Sequence, residues 1–324
     1  MRSVLALGVL TACVTAARSA AAFCRTTTCP LPPGFAPTDG QCVPPDFDSW
    51  CASMNPPATN LPVFWANACV SYDIQENASN QVPYDKAVEL FAQAFAKWTT
   101  TTCQYQGNGR VSIDVQNLGS VICDKVQYNS DQGNQHVIIF YDTDWPYPND
   151  TVNTLGLTTI TFNPDTGEIY DADMAINSGP NIPLSLGDPV PSDGYDFQSI
   201  IAHETGHFLG LAHSGDLSAT MFARYNMGQT TMRTLQDDDK FGICSIYLPD
   251  GNRAVDRSVE PTGEVVGQAC DPSPRHGFQS VCGQPLGCSM AEPGTRGGAG
   301  FAALVVMAQA VAAGARRRAR PPGM

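Results

Sequence analysis

His203-Glu204-Thr205-Gly206-His207-Phe208-Leu209-Gly210-Leu211-Ala212-His213 decides how the chain is read, because it gathers three of the five histidines in 324 residues. Upstream, Asp196 supplies a helix cap, and Phe197, Ile200 and Phe208 supply an apolar face. The spacing therefore predicts a helix on which His203 and His207, four residues apart, point the same way. Gly210 ends that helix in a conformation most residues avoid and turns the chain so that His213 returns beside the pair. Three neutral imidazoles with one position left open make a catalytic zinc site, whereas a structural site closes the fourth position with protein. Zinc lowers the pKa of a water at that position towards about 7. Glu204, next to the first ligand, can take its proton and pass it to a leaving amine. The residues point to metal-assisted amide hydrolysis, with Glu204 catalytic and His203, His207 and His213 as metal ligands.

The same stretch resembles the HExxHxxGxxH signature of the metzincin metalloproteases. Met221, inside Ser218-Ala219-Thr220-Met221-Phe222, matches the Met-turn, where that family sets a methionine beneath the histidines as a hydrophobic base and not as a ligand. Ser214, directly after the third histidine, resembles the matrixin branch. Residues 61–248 carry the resemblance, which implies an α+β zincin fold: a twisted mixed sheet with an antiparallel edge strand, the active-site helix, the Met-turn and a C-terminal helix below the cleft. It also implies that the edge strand, matched here by Thr154 to Thr161, pairs with an extended polypeptide substrate by β-augmentation. Leu155, Gly156 and Leu157 are the substrate-binding candidates. A catalytically silent surface binding or adhesion module on the same fold is the alternative, and the intact Glu204 argues for the enzyme.

The chain departs from the matrixin pattern in two places. No PRCGxPD-like segment lies upstream, so the cysteine switch of matrixin zymogens is not carried over. Where vertebrate matrixins hold a structural zinc through histidines, this chain offers Asp165, Asp171 and Asp173, and carboxylate oxygens suit calcium better. A structural calcium ion is thus the second cofactor expectation after zinc. Tyr225 reads as pocket wall or surface, and neither His136 nor His276 is expected to be a ligand.

Further out, Tyr84, Val88, Phe91, Phe95 and Trp98 form one face of a helix that Pro83 can start. Val111, Ile113 and Val115 alternate as a strand does, and 136–141 is rich in strand formers. Leu155 to Phe162 and Glu168 to Ile176 flank the turn Asn163-Pro164-Asp165-Thr166-Gly167 and predict a hairpin. A last helix is predicted from Thr234-Leu235-Gln236-Asp237, with Ile243, Ile246 and Tyr247 on its apolar face.

The ends read as addresses. Arg2, the apolar run from Val4 to Val14 and the small residues Ala20 to Ala22 form a signal-peptide pattern over 1–22. Gly287-Cys288-Ser289, the apolar stretch from Phe301 to Ala315 and the following arginines resemble the MYXO-CTERM sorting tail, over 288–324. The stretch is shorter than the roughly 20 residues of a permanent span. Secretion and surface anchoring near Cys288 are the expectation, with membrane contact through this tail alone. Of 12 cysteines, Cys13 and Cys288 belong to these signals. The even number left predicts disulfides of open pairing, among them a small loop closed by Cys270 and Cys282. Residues 23–60, rich in cysteine and proline, read as a stapled module or pro-segment, 61–248 as the catalytic domain and 249–287 as a polar linker. With 43% hydrophobic residues the chain folds, and a net charge of −13 sets nucleic acid aside as a partner. A monomer acting on polypeptides is expected.

Overall fold

The computed structural model describes residues 22–38, 41–105, 107–147, 154–256 and 263–283, and the backbone of 305–312. The expected signal peptide, up to residue 21, and the rest of the sorting tail lie outside the described residues. Helices form at α1 (Phe47–Ser53), α2 (Tyr84–Thr99), α3 (Phe197–Phe208) and α4 (Asp237–Cys244). The strands, in chain order, begin with β1 (Cys24–Arg25), β2 (Cys69–Gln75), β3 (Thr102–Cys103), β4 (Gly109–Arg110) and β5 (Asp114–Val121). They continue with β6 (Val137–Tyr141), β7 (Thr154–Phe162), β8 (Ile169–Asn177), β9 (Leu184–Ser185) and β10 (Tyr195–Asp196). The last are β11 (Leu211–Ala212), β12 (Arg224–Tyr225), β13 (Asn252–Ala254), β14 (Glu264–Val266) and β15 (Val305–Ala312).

The central sheet runs β5-β2-β6-β8-β7, parallel throughout except for β7, which lies antiparallel to β8. This is the mixed sheet of an α+β domain, and the β7-β8 hairpin falls where its turn residues predict. Outside β7 the backbone of β15 pairs antiparallel, from Val305 opposite Thr161 to Ala310 opposite Gly156. The far end of β15 pairs parallel with β12.

The apolar stripe of α2 explains how the helices sit. Phe91, Phe95 and Trp98 are fully buried and pack with Phe197 and Phe208 of α3 against Tyr72, Ile138, Ile160 and Met174 of the sheet. Phe95 and Phe208 meet edge to face at 5.1 Å between ring centres. Each such ring contributes about 1.5–3 kcal/mol by leaving water. The Trp98 indole N–H donates to the Ala202 carbonyl at 3.0 Å, locking α2 to the helix that carries the histidines.

The strand expected around Val111 to Val115 begins later, at Asp114. Val111 and Ile113 are buried ahead of it. The strand itself is largely polar because it is the outer edge of the sheet, half exposed to solvent, so periodicity located the core contacts and not the ladder.

The even cysteine count is matched by five disulfides: Cys24–Cys42, Cys29–Cys51, Cys69–Cys270, Cys103–Cys244 and Cys123–Cys282. The small loop expected between Cys270 and Cys282 is therefore corrected: each is tied to a different part of the sheet. The physical reason is that this segment lies along the domain and does not fold on itself. Gln268 N–H donates to Ala66 O and Ile122 N–H to Ser280 O, both at 2.8 Å. Nor are the described residues after Leu248 a free linker. Arg253 is fully buried and donates to the Trp65, Asn67 and Ser112 carbonyls.

The interior also holds carboxyls that water would ionise readily. Burial pushes Asp73 up to about 7. A carboxyl that keeps its proton in the fold but loses it in the unfolded chain stabilises least at high pH. Its contribution is full below the unfolded pKa near 4 and is lost as pH rises to about 7. Asp73→Asn is expected to raise the melting temperature at pH 8.5 by several degrees and to change it little at pH 4. Thermal melts at the two pH values check this, and an equal shift at both would refute the assignment.

Candidate active site

The helix that bears the site is held at its start. Asp196 Oδ2 accepts the Ser199 N–H at 3.0 Å and the Ser199 hydroxyl at 2.7 Å, the cap read from the sequence. Arg233 grips both oxygens of that carboxylate at 2.7 Å. One turn of α3 then separates His203 from His207, and their Nε2 atoms lie 3.0 Å apart. Past Gly210, whose φ of +95° is the left-handed turn expected there, the chain brings His213 back. Its ring centre is 5.3 Å from that of His203 and 4.9 Å from that of His207. The ligand atoms of the three lie within 4.8 Å of one another, the one such group of His, Cys, Asp or Glu among the described residues.

Both helix histidines have one ring nitrogen tied to a backbone carbonyl. His203 Nδ1 donates to the Thr220 carbonyl at 2.7 Å and His207 Nδ1 to the Leu211 carbonyl at 2.8 Å. Each bond fixes the tautomer that leaves Nε2 with a lone pair. Burial, and then His213, pushes His203 down to about 3. Burial, and then the other two imidazoles, pushes His207 well down. Both rings are thus neutral at neutral pH, with lone pairs facing across 3.0 Å. Such an arrangement is repulsive unless a cation sits between the rings. Tetrahedral zinc with bonds of about 2.0–2.1 Å sets adjacent nitrogens roughly 3.3 Å apart, so the residues present fit that ion.

Neighbouring aspartates of α4 tie down what surrounds the trio. Asp239 accepts the N–H groups of Thr220 and Gln236 at 2.8 Å and of Met221 at 3.0 Å, and burial raises it to about 6. Asp238 accepts from Ala22 N–H at 2.7 Å, Phe23 N–H at 2.8 Å and the Ser214 hydroxyl at 2.6 Å. Met221 is buried directly beneath α3. A Cβ on Gly206 would run into its sulfur and come within 2.7 Å of the Trp98 ring, so only glycine fits there.

Glu204 faces β7. Its Oε2 accepts the Thr158 hydroxyl at 2.7 Å, and a Cβ on Gly156 would stand 2.7 Å from its Oε1. Leu155 and Leu157 flank that glycine and are fully buried, Leu155 in a cluster with Ile200, Tyr225 and Met232. Tyr225 is thus an interior wall residue. Gly156→Ala presses a methyl group on the carboxylate and is expected to lower kcat/KM for peptide cleavage by about tenfold or more, with little change in folding. A variant as active as the wild type would show that the carboxylate moves aside freely.

Other expectations separate here. His136 is buried with Nδ1 at 2.8 Å from the Ser71 carbonyl, and His276 lies 3.4 Å from the Tyr128 hydroxyl, so neither joins the trio. Of the carboxylates expected to hold calcium, Asp165 is exposed in the hairpin turn, whereas Asp171 and Asp173 are buried two residues apart on β8, near enough that burial and then the Asp173 charge raise Asp171 well above the usual carboxylate range. Asp173 accepts from Val137 N–H and Gln127 N–H, both at 2.8 Å. The sequence reading did not single out Thr158, Thr220, Arg233 or Asp239. Only the acidic run Asp237-Asp238-Asp239 carried a signal, and it reads as an ordinary helix start.

Human neutrophil collagenase is 40% identical over 82 residues, 25% of this chain and 16% of its own length. Interstitial collagenase of Sus scrofa is 40% identical over 77 residues, 24% of this chain and 15% of its own length. Human matrix metalloproteinase-27 is 41% identical over 81 residues, 24% of this chain and 15% of its own length. The chain spans less than a fifth of the length of these curated relatives. The family model of the matrixins, peptidase M10, matches residues 64–248, more than half of the sequence. On that match, around a helix that sets His203 and His207 facing His213, the chain belongs to the matrixin family.

Proposed function

We propose that the protein is a secreted, surface-anchored zinc endopeptidase in which His203, His207 and His213 hold the metal and Glu204 is the general base. The observation that carries this reading is the pair of neutral imidazoles whose Nε2 atoms face each other at 3.0 Å, with Glu204 on the turn between them. Zinc in that position supplies Lewis acidity, making water nucleophilic near neutral pH and polarising a carbonyl. Glu204, oriented by the Thr158 hydroxyl, takes the proton of the attacking water and returns it to the leaving amine. Met221 supports the helix from below and stays out of the reaction.

The substrate lies extended along Leu155, Gly156 and Leu157, using the main chain of β7. The pairing of the β15 backbone with β7 on one side and β12 on the other supports this reading, since an extended chain fits between them. Leu155, Ile200, Tyr225 and Met232 favour an apolar side chain beside the scissile bond. Paired cysteines accord with export. Cleavage after Ala22 would leave the Phe23 amino group on Asp238, where a charge strengthens the bond.

Incubation of the zinc-loaded chain with a library of peptides from denatured proteins tests the reading. Cleavage that stops when zinc is chelated is the expected result. A folded, zinc-loaded chain that leaves every peptide intact would refute it.

A further inference from the structure

The end of α3 and the turn to His213 leave a row of carbonyls that the helix cannot satisfy. Each is met from elsewhere in the chain. Phe208 O accepts the Trp65 indole N–H at 2.8 Å, Leu209 O the Tyr247 hydroxyl at 2.9 Å and Gly210 O the Thr26 N–H at 2.9 Å. Leu211 O accepts two donors, His207 Nδ1 at 2.8 Å and the Thr26 hydroxyl at 3.0 Å. Thr26 thus holds, from both its backbone and its side chain, the stretch between the second and third histidines.

Thr26 is itself fixed. Cys24 and Arg25 form β1, paired antiparallel with Ala212 and Leu211 of β11, immediately before His213. The Arg25 guanidinium, buried, donates to Asp256 O at 2.7 Å and Val63 O at 3.1 Å. Val63 N–H donates to Thr26 O at 2.9 Å, and the Cys24–Cys42 disulfide holds the strand from its other end. Cys24, Arg25, Thr26, Cys42, Val63 and Asp256 all lie outside the stretch from His203 to His213.

We infer that Thr26 is a positioning residue of the metal centre: its hydroxyl, sharing the Leu211 carbonyl with His207 Nδ1, aims the His207 ring, and β1 fixes the approach of His213. The inference rests on the reading of the trio as a zinc site. It makes the segment around residues 23–27 a permanent part of that site rather than a removable pro-segment. A carbonyl held by a second donor cannot swing away from the imidazole. Without the hydroxyl the ring samples more orientations, and zinc leaves sooner. Partners of metal-bound histidines are worth roughly 10–100-fold in metal affinity, and Thr26 acts through one further bond, so an effect of about tenfold or somewhat less is expected.

The test uses the full chain with Thr26→Val, which keeps the shape and removes the donor, Thr26→Ser, which keeps the donor, and Thr26→Ala, which removes the donor without placing a methyl group against the carbonyl. Zinc dissociation constants come from chelator competition. The absorption spectrum of the cobalt-substituted protein reports ligand geometry without reference to turnover. Thr26→Val and Thr26→Ala are expected to bind zinc about 3–10-fold more weakly and to shift the cobalt bands, with Thr26→Ser within about twofold of wild type. Equal affinities and spectra in all four proteins would overturn the inference and leave the zinc reading standing. A wild-type chain that binds no zinc would overturn both. If one donorless variant fails to fold, the other decides.

Discussion

Glu204→Gln is expected to lower kcat/KM for peptide cleavage by about 10²–10⁴-fold while zinc content and melting temperature stay at the wild-type values. Glutamine keeps the length of the side chain and an oxygen that can accept the Thr158 hydroxyl, now found at 2.7 Å from Oε2, so the packing against β7 survives. It cannot take a proton from water. His203 and His207 are separate side chains with their own anchors at Thr220 and Leu211, and the substitution touches neither anchor. A steady-state assay beside metal analysis of both proteins reads the result. Undiminished cleavage would remove Glu204 from the mechanism, and lost zinc would show that it supports the ligands instead.

Asp239→Ala is expected to cost about 3 kcal/mol or more of folding stability and to weaken zinc binding as well. Its carboxylate is the acceptor for three N–H groups, those of Thr220, Met221 and Gln236, in a site away from water. Each donor left without a partner in such a place costs about 1–3 kcal/mol. The damage reaches the metal because the Thr220 carbonyl anchors His203 Nδ1 and Met221 lies under Gly206. Asp239→Asn retains one acceptor oxygen and should fall between alanine and wild type. Urea denaturation measures the stability loss, and chelator competition measures the zinc affinity. An alanine variant with wild-type values in both would mean that the loop is held by its apolar packing alone.

What the sequence made legible was whatever is encoded locally. The helix from Phe197 to Phe208, its Asp196 cap and the Gly210 turn follow from neighbours within a few residues, and so does the hairpin around Asn163 to Gly167. The strand at Asp114 escaped because an outer edge needs little apolar alternation. The pairing of Cys69 with Cys270 and Cys123 with Cys282 escaped because sequence spacing says nothing about which parts of a sheet a returning chain will cross. The supports of the site were hidden for the same reason. Thr158 reaches Glu204 across 46 positions, Thr26 reaches Leu211 across 185, and Asp239 reaches Thr220 across 19. Each is an ordinary residue for its element until the fold sets it beside a carbonyl, an amide or a carboxylate that needs it. The three histidines that the fold groups could be read because their spacing is rare; the residues that hold them in place could not, because their chemistry is common.

The central claim is that three histidines hold one zinc ion with a position left open for chemistry. X-ray absorption at the zinc edge, on the full chain reconstituted with one equivalent of metal, tests it most directly. The account predicts three imidazole nitrogens at about 2.0–2.1 Å and a light, exchangeable oxygen in the remaining position. A shell closed by four protein ligands, or one containing sulfur, would contradict it.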